Sequence, residues 1–248
     1  MSLLLHCGAG AITRDQLAGM PVPMPIGPNH ETRPFIEDVE LVLESLEGLG
    51  LRVRDESYGV RTRQIGEFSV PTQFFGLLEL GDEGDFALMV GLRGSYDQSL
   101  PRGIAVGSRV FVCDNLAFSG EVDLHTRQTS NIDTRMPRLV ARACERVPEL
   151  AGRQSQRFGR YRRARLTLEE GDQVIAKLYR AGVLGARSLH TALDEWAIPS
   201  RSEFSHEKNL WGLHNAITES LKGDGKSPTV LSNWKRTLGM TEILDQIA

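Results

Sequence analysis

A chain of 248 residues with 40% apolar and 25% charged residues and a formal net charge of −3 has the ordinary composition of a globular protein, large enough for one big core or two small ones. That charge excludes bulk affinity for polyanions, so any nucleic-acid contact has to come from a local patch. Three cysteines, Cys7, Cys113 and Cys144, include no C-x-x-C pair. This argues against a disulfide framework or a four-cysteine zinc site and for a reducing, cytoplasmic location. No run approaches the roughly 20 apolar residues of a membrane span, and the start MSLLLHCGAG lacks the basic region of a signal peptide, so no membrane partner is expected.

Residues 21–34, PVPMPIGPNHETRP, hold five prolines and read as a loop or extended arm. A helix follows. Thr32 can cap it, Pro34 suits its first turn, and Phe35, Val39, Leu41, Val42 and Leu46 give it an apolar face that Gly48 and Gly50 end. Its exposed face reads as acidic: Glu37, Asp38, Glu40, Glu44 and Glu47. Residues 51–120 then read as strands. Leu51–Arg54 alternates with period two, and 57–65, 73–80, 86–92 and 104–113 follow, separated by Gly, Pro and Asp turns. Glu79, Asp82, Glu83 and Asp85 read as a solvated hairpin turn.

From about residue 130 the pattern is helical. Asp133 or Thr134 can cap a helix through Met136, Leu139, Val140, Ala143, Val147 and Leu150, with Pro148 kinking or ending it. Further helices are expected near 167–182, 186–197, 203–221 and 240–247, with a loop at Gly223–Pro228. Trp196, Trp211 and Trp234 read as core anchors. Strands followed by helices predict an α+β fold, with a mostly antiparallel sheet in the N-terminal half and a helical C-terminal half. Regions 1–130 and 131–248 are expected to form one integrated domain.

The clearest electrostatic feature lies between Arg135 and Arg165, where ten arginines face two acids, a net +8 over 31 residues. Arg135, Arg138, Arg142 and Arg146 are spaced three, four and four apart, which places them on one helix face. With Arg153 and Arg157 they form a stripe that can track a phosphate backbone of DNA or RNA, and Phe158 and Tyr161 add rings that could stack on bases. The alternative is pairing with acidic surface, inside the chain or across a homo-oligomer. Residues 31–56, with eight acids and three arginines, offer that surface.

Other motifs are weaker. Gly223-Asp-Gly-Lys-Ser227 lacks the glycine that a phosphate loop needs at position 220, which is Ser220, and it follows a helix where a strand is required. No cofactor motif is present. His6, Cys7, His30, Cys113 and His125 have no metal-ligand spacing, so any site would have to be assembled by the fold, and no metal is expected. Cys113 with His125 or His6 could form a nucleophile–base pair, but Cys113 closes an apolar run, where a buried thiol is inert, and Asp114 and Asn115 would then be turn formers.

Two segments, GLRGSYDQS (91–99) and GIAVGSRVFVCDNLAFSGE (103–121), resemble the phage- and plasmid-borne family known as domain of unknown function nine hundred thirty-two. Arg93, Ser95, Asp97, Gly107, Cys113 and Asn115 fall on its motif positions. The chain departs at Gly94, where an asparagine is usual, and at Tyr96. HCGAGAITRDQL, PIGPNHE and LWGLHNAITE extend the likeness, the last through Trp211, Asn215, Thr218 and Glu219. The resemblance implies a mobile-element setting and brings no activity with it.

Three functional readings follow. The leading one is a non-catalytic or accessory protein of mobile-element DNA metabolism, touching nucleic acid through the arginine stripe. The second is an enzyme in which Arg93 holds an anion, Asp97 or His125 acts as acid or base, and Asn115 orients the substrate. The third is a homo-oligomeric structural protein in which the acidic 35–47 helix meets the basic helix of a neighbour.

Overall fold

The computed structural model describes residues 9–82, 86–110, 122–200, 208–221 and 230–248. Cys7, His6, Glu83, Asp85, Cys113–Asn115 and the Gly223–Pro228 loop lie outside them, as does the side chain of Trp234. The fold is α+β, with an antiparallel sheet in the N-terminal half and a helical C-terminal half. The chain divides into two compact units: Met1–Gly107 with Gly120–Glu149, and Ser108–Ser119 with Leu150–Ala248.

Among the described residues the sheet has six strands in sequential order, β1 (Gly10–Ile12), β2 (Asp55–Ile65), β3 (Phe68–Asp82), β4 (Phe86–Ser95), β5 (Arg102–Val110) and β6 (Val122–Thr126), all in the first unit but for the end of β5 beyond Gly107. The β2–β3 hairpin closes through the two-residue turn Gly66–Glu67, with Ile65 opposite Phe68 and Gly66 at φ 62°, where a side chain would be strained. Pro71 would break a regular ladder. The register instead shifts between Arg61 and Thr62, and the Thr72 hydroxyl donates to the Arg61 carbonyl at 3.0 Å. Leu51–Arg54, expected as a strand, is not one; Arg54 N–H donates to the Glu79 carbonyl, and the ladder begins at Asp55. β1 and β6 went unread because three- and five-residue segments carry too little periodicity.

A short helix α1 (Arg14–Ala18) opens with a Thr13–Gln16 capping box. α2 (Phe35–Gly48) follows the proline arm, with Pro34 rather than Thr32 in the cap position and no side-chain cap bond. It buries Phe35, Asp38, Val39, Val42 and Leu46, a helical stripe that packs against β4 and α3 (Ile132–Cys144). α3 in turn buries Ile132, Met136, Val140 and Ala143. The helix expected to run through Leu150 is broken ahead of Pro148. A proline there cannot donate to the Cys144 carbonyl, so α3 stops beforehand and Pro148 sits in the first turn of α4 (Val147–Arg163).

The second unit packs α5 (Leu168–Arg180), α6 (Ala186–Ala197), α7 (Leu210–Ser220) and α8 (Val230–Asp245) with the greater part of α4. Thr167 and Glu170 form a capping box, and Asn209 caps α7 by accepting from Gly212 N–H at 2.9 Å. α6 packs on α5 and α7. The Trp196 indole lies over Gly171 and donates to the Leu168 carbonyl at 3.0 Å. α7 is buried along nearly its whole length. Trp211 stacks on His214 at 5.5 Å, with Phe158 and Tyr161 packed around them.

Candidate functional site

The four proposed catalytic residues meet different fates. Arg93 on β4 and His125 on β6 come together across Gly103 of β5: a Cβ at Gly103 would lie 3.1 Å from Arg93 Nε and 3.4 Å from His125 Cβ. The missing side chain is what lets the arginine lie over the strand. Asp97 is exposed in the loop after β4 and accepts from the Ser99 N–H at 3.0 Å and from the Ser99 hydroxyl, which makes it a turn former. Asn115 lies outside the described residues.

Gly94 answers to packing. A Cβ there would sit 3.2 Å from Arg102 Cγ and 3.4 Å from Phe35 Cε1. Arg102 is wholly buried; it pairs with Asp38, donates to the Arg33 carbonyl, and lies 5.0 Å from the Phe35 ring and 5.8 Å from Tyr96. Asp38 therefore does not belong to the exposed acidic face. Burial pushes its carboxyl above the usual range while Arg102 and Arg33 draw it back down. The signal was present in the sequence: position 38 is in phase with Phe35 and Val42. Glu79 is likewise buried, at 9% exposure, and not part of a solvated turn.

Beside this cluster lies a cavity of about 590 Å³. One wall is the 26–30 turn, closed by His30 N–H to the Gly27 carbonyl and by Ile26 N–H to His30 Nδ1, both 3.0 Å. Another is the 97–101 loop, pinned where the Ser95 hydroxyl exchanges two 2.9 Å bonds with the Leu100 backbone. The loop carries Gln98 at φ 60°, alone in the left-handed region among described non-glycine residues, which costs on the order of 1 kcal/mol. His125, Arg127, Gln128 and Thr129 complete the lining.

Two lining side chains have unmet polar atoms. His30, 6% exposed, accepts at Nδ1, so its neutral ring carries the proton on Nε2, and that donor is buried without an acceptor. Gln128, 7% exposed, donates its amide to the Ser95 carbonyl and leaves Oε1 buried without a donor. Each such group destabilises the fold by roughly 1–3 kcal/mol when nothing fills it. No group of three or more His, Cys, Asp or Glu side chains among the described residues could hold a metal ion.

The arginine stripe divides. Arg135, Arg138 and Arg142 are exposed on α3, opposite its buried face, and Arg146 is exposed in the turn after it. Arg135 donates to the Thr129 hydroxyl at 3.1 Å. Arg138, Arg142 and Arg146 make no ion pair with a described residue, so the acidic face of α2 does not neutralise them. Arg153, exposed on α4, and Arg157 belong to the second unit. There Arg157 and Arg160 pair with Asp245 at 3.0 and 3.2 Å, and Tyr161 donates to the same carboxylate at 3.0 Å. Phe158 and Tyr161, expected as stacking platforms, are buried at 4% and 0% exposure and cannot reach a base. Arg162 covers Trp211 at 5.0 Å.

Comparison with known proteins found no matching family model, no matching curated protein and no matching solved structure. No helix among the described residues is long and apolar enough to cross a membrane.

Proposed function

We propose that the protein contacts the phosphate backbone of DNA or RNA through Arg135, Arg138, Arg142 and Arg146, as a cytoplasmic accessory of mobile-element DNA metabolism. The observation that carries this reading is the exposure of Arg138, Arg142 and Arg146 without an ion pair among the described residues, on a segment whose other face is core. Guanidiniums three and four residues apart present successive charges to one strand, and releasing the counterions of that strand drives binding. The mobile-element setting rests on the resemblance of residues 91–99 and 103–121.

Fluorescence anisotropy with labelled single-stranded and duplex oligonucleotides at low salt tests the proposal. Four phosphate contacts predict a slope of log K on log salt near −3 to −4, which Arg138→Glu with Arg142→Glu reduces by at least about 2. No binding, or binding indifferent to that charge reversal, overturns it. The alternative is a second copy presenting the exposed Glu40, Glu44 and Glu47 of α2 to the ridge; sedimentation separates it, because only that arrangement gives a dimer that the charge reversal dissolves.

A further inference from the structure

The cavity beside β6 has its own recognition chemistry. From it we infer that the first unit binds a nucleoside 5′-monophosphate, free or as the phosphorylated end of a strand. The pocket itself carries this inference; only the strand-end case rests on the ridge reading above.

Two of its lining residues each carry a buried polar atom without a partner among the described residues, a donor at His30 Nε2 and an acceptor at Gln128 Oε1. The opposite pattern, an acceptor beside an N–H donor, is what the edge of a nucleobase presents. Pro28, Leu100 and Pro101 supply apolar surface for the face of a ring. No carboxylate lines the cavity, while Arg127 does and is exposed, so the charge balance favours an anion at the rim. The volume of about 590 Å³ suits a small ligand. The walls are set in advance: Asp97 and Ser95 fix the 97–101 loop and hold Gln98 in its left-handed conformation. The rim also meets the ridge, because Thr129 lines the cavity and accepts from Arg135. A strand lying along α3 can therefore end in the pocket.

Isothermal titration of the full chain with the four ribo- and four deoxyribonucleoside 5′-monophosphates, the matching nucleosides and inorganic phosphate tests the inference. At least one monophosphate is expected to bind with a Kd of about 100 μM or tighter, and its nucleoside and phosphate more weakly. Arg127→Ala, at an exposed position, should weaken the monophosphate at least about tenfold and leave the nucleoside unchanged. Gln128→Leu should weaken both, with circular dichroism confirming the fold. Absence of binding by all eight monophosphates at about 1 mM, or binding unchanged in Arg127→Ala and Gln128→Leu, overturns the inference.

Oligonucleotides with and without a 5′-phosphate separate the two sources. Tighter binding of the phosphorylated strand, lost in Arg127→Ala, identifies a strand end; equal binding with monophosphates still bound identifies a free nucleotide. Arg138→Glu with Arg142→Glu should abolish oligonucleotide binding and spare the monophosphate, so failure of the ridge and failure of the pocket give different results.

Discussion

Asp38→Asn removes the charge facing Arg102 while keeping the side-chain volume. The Arg102 side chain is 0% exposed and that of Asp38 3%, so water cannot replace the lost partner. Two unit charges about 4 Å apart attract by about 4 kcal/mol at an effective dielectric constant near 20. Stranding one member of a buried pair generally costs about 3–5 kcal/mol. Part of the guanidinium stays compensated, through the Arg33 carbonyl and the Phe35 and Tyr96 rings, which favours the lower end of that range. Hydrogen exchange at Leu78 and Val90, paired across β3 and β4, reads the first unit directly. A loss of 3 kcal/mol speeds their exchange about 150-fold. Asp38→Leu with Arg102→Met should lose much less than Asp38→Asn, because no charge is then left uncompensated. If Asp38→Asn costs under about 1 kcal/mol, or the double variant is the less stable, the pair does not hold this unit together as argued.

Burial, with Arg157 nearby, depresses the His214 imidazole to about 4. The folded chain keeps the ring neutral while the unfolded chain protonates first, so stability is full above pH 6.5, falls as pH drops through 6.5, and levels off near 4. The total loss approaches about 3 kcal/mol. Urea midpoints by tryptophan fluorescence should show this slope, and His214→Leu should flatten it; a wild-type midpoint unchanged between pH 7 and 4.5 contradicts the assignment. Gly171→Ala would place a Cβ 2.1 Å from Trp196 Nε1 and should destabilise by about 2–3 kcal/mol. Gly152→Ala meets nothing within 4 Å on exposed α4 and should stabilise by about 1 kcal/mol. Thermal melts of the two variants should move in opposite directions, and a shared direction would mean that the indole does not lie on Gly171.

Local pattern was enough for the α+β class, for α2, α5 and α6, and for the hairpin strands, because apolar periodicity and caps act within a few residues. It was also enough to place Arg135, Arg138 and Arg142 on one helical face, since spacing alone determines that. It was not enough for partners. Asp38 looks like one more acid of a solvated helix until Arg102, 64 residues on, closes over it. Arg157 and Arg160 belong to the same charge run as Arg138 and Arg142, yet Asp245, some 85 residues away, takes them.

The cavity was legible only in pieces: PIGPNHE as a proline-rich arm, and Asp97 and His125 as alternative acid–base groups of one site with Arg93 and Asn115. By itself the sequence determined which segments are helix or strand and where arginine concentrates. Only the tertiary structure decided which charges are spent on the fold and which remain exposed, and which residues line a common space. Burial and pairing depend on groups far apart in the chain, and no local spacing encodes them.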